Sequence, residues 1–367
     1  MNDKNDPQKI DEETRNKLQE LKGDLEKMGV KFEISENLDE TFRDIFLAYS
    51  KKTGDIQFQN NMKELEKKVD EEHLSQKNFE DRLQNRWKKP FDLLEFLIIQ
   101  STELGRNYNE KNRETAVKEQ NFVFESLIQL HGWACLVANE IMVLMKSGYA
   151  DGANARWRTL NEIAVICFFI KKHGNEVGER YLSYQYIESC KAMREYQKYA
   201  ERLGYVPFSK QEIGNLKKIR EDQVKKFGKN FAKNNGWAAD VLNKESPKFF
   251  DLAEDIDLEH LYPFFKMASN AIHATSSKGL QVKLGSPQGK IIQAGPSNFG
   301  MADPGQNTAM SLIHINVALL TLNPGLDLKK DLEGLITINS MFYQLHEINT
   351  AFIEVHNNMN PNQFWWE

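Results

Sequence analysis

The stretch that most constrains the fold is Gly148–Lys172, which reads GYADGANARWRTLNEIAVICFFIKK. Every residue from Ile163 to Ile170 within it is apolar. A helix distributes consecutive side chains around its whole circumference, so such a run predicts a helix that is surrounded by other helices. A chain with a helix of this kind at its centre needs several further helices to cover it. We therefore predict an all-α protein built mostly as a helical bundle.

Apolar residues recur at helical spacing through most of the remaining chain. They predict helices over residues 10–28 and 37–50, with a break at Gly54, and an exposed charged helix over residues 61–89. A long helix is predicted over residues 112–146, with Trp133 and Leu136 among its inward-facing side chains. The exception is residues 280–295, where two short alternating runs flank Ser286-Pro287-Gln288-Gly289. That pattern predicts a small β-hairpin or an ordered loop between helices.

Three segments follow from this pattern. Residues 1–89 form a charged helical N-terminal extension, residues 90–357 form the main helical domain, and residues 358–367 form an aromatic tail. The extension is either a solvated linker or an arm that binds another protein. The tail carries Trp365 and Trp366, which either dock on the chain's own core or contact a partner, since aromatic side chains are enriched at interfaces.

Composition narrows the function classes. The 367 residues carry a formal net charge of −5, so contact with a nucleic acid would need a local basic patch. The three cysteines form no close pair that predicts a disulfide framework or a zinc site. The longest apolar run has eight residues, far short of the roughly 20 that span a bilayer. We expect a soluble cytoplasmic protein with no membrane contact.

Several well-known catalytic motifs are absent. The sequence has no Gly-rich phosphate loop, no Gly-x-Ser-x-Gly elbow and no His-Glu-x-x-His zinc helix. These absences argue against a P-loop NTPase, a hydrolase of the elbow type and a zinc protease. We expect no cofactor and no metal ion.

A basic helix is predicted after Ser209. Ser209 and Glu212 have the spacing of a capping box at a helix start. The following residues are rich in lysine and arginine, which is the electrostatic footprint expected of an RNA-binding or DNA-binding surface. The alternative is a solvated helical face without a ligand. The basic side chains that we predict to contact nucleic acid are Lys217, Lys218, Arg220, Lys225 and Lys226.

Charged residues occur inside the otherwise apolar central helix. Arg158 and Glu162 are four residues apart, so their side chains meet on one helical face. Burying charge is costly unless the charge is paired or used. A site on this face of the helix is therefore predicted.

A polar stripe on a second helix supplies the other half of the predicted site. In the segment LYPFFKMASNAIHATSS, the residues Tyr262, Lys266, Ser269 and His273 fall at spacings of four, three and four. That spacing places them on one helical face, opposite Phe264 and Phe265. His273 is suited to proton transfer because the pKa of histidine lies near neutrality. The alternative is that His273 only fixes helix packing.

These residues carry a resemblance to a known family. Arg158-Thr159-Leu160-Asn161-Glu162, followed far downstream by Tyr262 and by Ser269-x-x-x-His273, resembles the bacterial DUF5677 family over roughly residues 120–322. The resemblance implies an α-helical fold and a bacterial source. Proteins similar to these also resemble components of mobile elements or of antiphage defence.

A looser likeness is to the HEPN ribonucleases, which are helical domains with an Arg-x4–6-His motif in a dimer cleft. This chain departs from that motif, because no arginine precedes a histidine at that spacing. Only Lys266, with six residues between it and His273, has a similar spacing. Arg158 would have to supply the guanidinium from another helix. The likeness implies a homo-oligomer.

Two hypotheses follow. In the first, the chain is an antiphage-defence or toxin-type effector that acts on RNA as a metal-independent ribonuclease. Arg158 would bind the phosphate, and Glu162 would orient Arg158. His273 would be the acid–base group, with help from Lys266 and Ser269. In the second, the chain is a non-catalytic helical sensor or adaptor whose polar cluster is structural or binds a small nucleotide. That protein would bind partners through its N-terminal helices or its C-terminal tail.

Overall fold

The computed structural model describes residues 10–269, 272, 294–322 and 328–359. Over those residues the chain forms α-helices and short 3-10 helices and no β-strand, which confirms the all-α prediction. The hairpin or loop predicted over residues 280–295 lies almost wholly outside the described residues, as does the aromatic end of the tail. The α-helices of the described residues are α1 Glu12–Lys27, α2 Leu38–Arg86, α3 Lys88–Lys118, α4 Phe122–Lys146, α5 Ala150–His173, α6 Asn175–Ser183, α7 Gln185–Tyr199, α8 Lys210–Phe227, α9 Phe249–Asp255, α10 Tyr262–Ser269, α11 Ala302–Leu320 and α12 Leu328–Asn357.

The chain divides into two compact units, residues 1–79 and residues 80–367. The boundary lies inside α2, whereas the predicted extension ended at residue 89. In the first unit a small core forms around Leu18, Val30, Phe32 and Ile45. Beyond that core, the part of α2 from residue 53 to residue 75 is exposed on every face.

Two helix boundaries differ from the sequence prediction. Gly54 does not break α2, which runs on from Leu38 to Arg86. The cost of one exposed glycine in a helix is only about 1 kcal/mol relative to alanine, and the helix-forming residues on both sides outweigh it. The helix predicted over residues 112–146 is two helices, since α3 ends at Lys118 and Gln120 adopts a left-handed conformation with φ 50°. Asn121 then caps α4 by accepting a hydrogen bond from the backbone N–H of Phe124 at 2.9 Å.

Helices α4, α5 and α11 form the centre of the second unit. All three pack against one another, and α3 and α12 cover the side formed by α4 and α11. The apolar run of α5 is largely buried, with Ile163, Cys167 and Ile170 fully enclosed, as the sequence predicted. Trp157 of α5 donates a hydrogen bond to the Ser311 hydroxyl of α11 at 2.9 Å, which fixes the register of the two helices.

Among the described residues, α4 is the one helix that is long and apolar enough to cross a membrane by length and composition. Half of its most apolar window is buried inside the bundle. A core helix of a soluble protein has the same properties, so this is weak evidence for a membrane span. Trp133 and Leu136, which we predicted to face inward, are 46 % and 57 % exposed.

Candidate functional site

Arg158 and Glu162 lie side by side on α5, as their spacing predicted. Nε of Arg158 is 3.4 Å from Oε1 of Glu162, and the two side chains are 27 % and 36 % exposed. The contact is an ion pair without a hydrogen bond, because Nε of Arg158 is buried and has no hydrogen-bond partner. Oδ1 of Asn161, one turn along the same helix, is also buried without a partner. Buried polar atoms are nearly always paired in proteins, so an unpaired donor and an unpaired acceptor on one helix are unusual.

An aromatic side chain from α10 completes the surroundings of Arg158. The guanidinium carbon lies 4.4 Å from the centroid of the Phe265 ring, the distance of a cation–π contact. Phe265 is 5 % exposed and stacks in turn on Phe249 at 4.6 Å. The guanidinium therefore rests on a buried aromatic surface that limits its movement.

The carboxyl group of Glu162 is shifted towards its protonated form. Burial raises the pKa of Glu162, and the charge of Arg158 opposes part of that rise. The pair thus combines a fixed cation, which suits a phosphate oxygen, with a partly buried carboxyl group beside it.

The other predicted residues of α10 occupy a different face from the one expected. The buried face of α10 is formed by Phe265 and Ala268, and it is Phe265 that contacts α5. Lys266 is exposed and its ammonium lies 5.4 Å from the Tyr262 ring. The polar stripe could face solvent or line a cleft, and Lys266 faces solvent. The apolar side chains gain more from contact with α5 than the lysine does, since a buried ammonium is costly without a paired anion.

Ser269 and His273 are the last two residues of the predicted polar stripe. The hydroxyl of Ser269 donates to the backbone carbonyl of Phe265 at 2.9 Å, a bond within the last turn of α10. His273 follows Ser269 by four positions and lies outside the described residues.

A buried histidine that the sequence did not single out packs against α5. His314 of α11 meets Phe168 of α5 edge-on at 6.1 Å between ring centroids, and its Nδ1 is buried without a hydrogen-bond partner. Burial lowers the pKa of His314, and the nearby charge of His260 lowers it further. The local sequence SLIHINVALL contains a single histidine in an apolar helix. That pattern is typical of a packed core residue, so it did not indicate a functional site. The effect of His260 on the pKa of His314 indicates that these two side chains lie near each other.

The predicted basic surface is exposed along α8. Ser209 and Glu212 form the capping box that the sequence predicted, which fixes the start of the helix. Lys217, Lys218 and Lys225 are exposed, and no ion pair to another described residue involves them. Lys226 instead forms an ion pair, because its ammonium lies 2.5 Å from a carboxylate oxygen of Glu179. Arg220 is half-buried.

Metal ligands are not clustered in the part of the chain that the structure describes. No group of three or more His, Cys, Asp or Glu side chains there could hold a metal ion. The three cysteines, Cys135, Cys167 and Cys190, are buried free thiols. Burial raises the pKa of the Cys167 thiol well above its usual range, so this side chain is a core residue and not a nucleophile.

Comparison with known proteins gives one match. No curated protein and no solved structure matches this chain significantly. Residues 124–290, the segment that contains Arg158, Glu162, α8 and α10, match the model of DUF5677, a family of unknown function. The match supports the DUF5677 resemblance over that segment of the chain.

Proposed function

We propose that this chain acts on RNA, as a toxin-type or antiphage-defence effector that cleaves the strand without a metal ion. The observation that carries the proposal is the immobilised guanidinium of Arg158, which lies against Glu162 and over the Phe265 ring. A planar guanidinium is suited to contact phosphate oxygens, and the Arg158 side chain is 27 % exposed. A fixed cation at such a position stabilises the charge that develops as a phosphodiester is attacked.

The reaction would be an internal transfer. The 2′-hydroxyl of a ribose loses its proton and attacks the adjacent phosphorus, and the bond to the 5′-oxygen breaks. The products are a 2′,3′-cyclic phosphate and a 5′-hydroxyl, and the proton removed at the start is replaced on the leaving oxygen. Arg158 would hold the non-bridging oxygens, Glu162 would orient Arg158, and His273 would transfer the proton. This reaction needs neither a metal ion nor an added nucleophile.

The exposed lysines of α8 support RNA as the substrate class. Lys217, Lys218 and Lys225 lie on the solvent side of one helix, where each can neutralise a backbone phosphate and release its counterions. Such contacts carry little sequence information. We therefore expect this chain to bind RNA broadly and without sequence specificity.

The test is cleavage of total bacterial RNA by purified protein in EDTA. His273→Ala should lower the rate by about a hundredfold or more, the usual contribution of general acid–base catalysis. The matched control is His73→Ala, which removes an exposed histidine of the first unit and should leave the rate unchanged. Circular dichroism establishes that all three proteins are folded alike. Intact RNA with the wild type, or equal cleavage by His273→Ala, would count against the ribonuclease.

A second candidate function is a non-catalytic sensor or adaptor. It is favoured by the fact that the known contacts of Arg158, with Glu162 and Phe265, are internal and hold α10 against α5. In that case Arg158→Ala lowers stability and leaves any biological role dependent on the N-terminal helices or the tail. If the same face binds a small nucleotide instead, the nucleotide raises the melting temperature of the wild type but not of Arg158→Ala.

A further inference from the structure

A second feature of the chain suits a nucleic acid ligand, namely the connection between α7 and α8. The two helices pack together as a hairpin, and the thiol of Cys190 donates to the Leu216 carbonyl across it at 3.3 Å. We call residues 196–208 the hairpin tip. Large apolar and aromatic side chains at this tip are at least 36 % exposed. They are Tyr196, Tyr199, Leu203, Tyr205, Val206 and Phe208.

The aromatic rings of the hairpin tip are held in a fixed arrangement. The rings of Tyr196 and Tyr205 are parallel within 3°, with centroids 5.9 Å apart, and Phe208 lies 5.0 Å from Tyr196. The hydroxyl of Tyr196 donates to the Val206 carbonyl at 3.1 Å, and Gln197 accepts from the backbone N–H of Phe208 at 2.9 Å. The connection is thus ordered by its own side chains, so little entropy would be lost when a ligand stacks on it.

Tyr205 is the ring most open to such a ligand. One of its faces stacks on Tyr196, and its side chain is still 56 % exposed. Tyr199 is 41 % exposed and has the Lys198 ammonium 4.7 Å from its ring centroid. Flat rings beside a cation match the two parts of a nucleotide, the base and the phosphate.

The charge of the hairpin also favours a polyanion. From Gln185 to Phe227 the sequence has ten lysines and arginines against six aspartates and glutamates, a net charge of +4 in a chain whose total is −5. The remaining residues therefore carry −9. Residues 196–208 carry a net charge of +1 and residues 210–227 carry +3. The aromatic tip therefore adjoins a basic helix, a combination found in proteins that bind single strands.

We propose that the hairpin tip is a stacking platform for unpaired bases of single-stranded RNA. Tyr205 and Tyr199 contact the bases, and the lysines of α7 and α8 contact the phosphates. Bases within a duplex are already stacked on their neighbours and cannot reach a protein ring. The platform therefore selects unpaired RNA. This inference rests on the proposed function for the class of ligand and adds the strand state that the chain prefers.

The experiment is a fluorescence anisotropy titration of full-length protein with a labelled single-stranded oligonucleotide and with a blunt duplex of equal length. Both titrations are made in the His273→Ala background, to prevent cleavage. Tyr205→Ala should weaken binding of the single strand about fivefold to a hundredfold, as expected for one stacked base, and should change duplex binding less than twofold. Tyr205→Phe keeps the ring and should bind as the parent does. Tyr343→Ala removes a 77 % exposed tyrosine of α12 and is the matched control.

The outcomes separate this inference from the proposed function. If the parent binds RNA but Tyr205→Ala binds the single strand equally well, the platform is wrong and RNA binding stands. If the parent prefers the duplex, the platform is likewise wrong. If the parent binds neither RNA, the proposed function fails together with the platform. Binding of anionic phospholipid vesicles that Tyr205→Ala abolishes, with unchanged RNA binding, would assign the tip to a lipid surface and overturn the inference.

Discussion

At the scale of single residues, a buried histidine ties three helices together. His131 of α4 is 3 % exposed, and its Nε2 lies 2.9 Å from Oδ1 of Asn316 on α11. The amide nitrogen of Asn316 donates to the Ser101 hydroxyl of α3 at 2.7 Å. Since that nitrogen is the donor, Oδ1 is an acceptor and Nε2 of His131 must carry the proton that it receives. The network therefore requires a histidine that donates from Nε2, and burial favours its neutral form.

This network predicts a pH dependence of stability. Burial lowers the pKa of His131 below the 6.5 of an exposed imidazole. Between the two pKa values the unfolded chain binds more protons than the folded chain, so the free energy of unfolding falls as pH falls below about 6.5. Above that pH the stability is fully present. His314 has a lowered pKa as well and adds a loss of the same sign.

Urea unfolding between pH 5 and pH 8 checks this dependence. All six tryptophans lie beyond residue 79, so their fluorescence follows the second unit. His131→Gln should show a shallower loss of stability with falling pH than the wild type, and His73→Gln should match the wild type. Parallel curves for the wild type and His131→Gln would show that His131 does not titrate in this range.

Part of the candidate site could be predicted from the sequence, residue by residue. The pairing of Arg158 with Glu162 follows from helical spacing and is confirmed at 3.4 Å. The contact between Arg158 and Phe265 could not be predicted, because it joins helices more than a hundred residues apart and depends on which face of α10 turns inward. The spacing of residues along α10 shows which side chains share a face. It does not show whether the face with Phe265 or the polar face is the buried one.

At the scale of helices, α3 and α4 approach each other closely at one glycine. A Cβ on Gly105 of α3 would lie 2.4 Å from two ring atoms of His131. The ring cannot move freely, because its hydrogen bond to Asn316 fixes it. The absence of a side chain at position 105 thus allows the helix contact and the polar network together.

Two glycine substitutions test this helix contact. Gly105→Ala should lower the free energy of unfolding by about 1–3 kcal/mol, the usual cost of overpacking a core. Gly132→Ala is the matched control, because nothing lies within 4 Å of a Cβ there. It should raise the free energy of unfolding by up to about 1 kcal/mol through better helix propensity. Chemical denaturation measures both, and equal effects would show that α3 and α4 do not meet at Gly105.

Helix existence was easier to predict than helix ends. The apolar run of α5 and the capping box of α8 gave those two helices directly. The break between α3 and α4 was not predicted, because helical residues continue on both sides of Asn121. Asn121 is nevertheless a favourable N-cap residue. Trp133 and Leu136 were wrongly placed inside, since an apolar helix that is covered on three sides leaves part of its circumference exposed.

At the scale of the whole molecule, charge and apolar surface are distributed unevenly. The chain is acidic overall, yet the segment from Gln185 to Phe227 is basic and carries the exposed aromatic hairpin tip. The paired charges of α5 occur in the same segment that matches DUF5677. Overall charge alone pointed away from nucleic acids, and only the local arrangement of lysines favours RNA. The proposed RNA binding and cleavage therefore depend on two separate regions of the second unit.

The most direct measurement of the central claim is the RNA cleavage rate of Arg158→Ala in EDTA, compared with the wild type and with Arg106→Ala. Arg106 is an exposed arginine of α3, so its removal changes the total charge equally without touching the site. We expect Arg158→Ala to lose about a hundredfold or more in rate, as when one transition-state donor is removed, while it stays folded and Arg106→Ala cleaves normally. Cleavage by Arg158→Ala at the rate of the wild type would contradict the account.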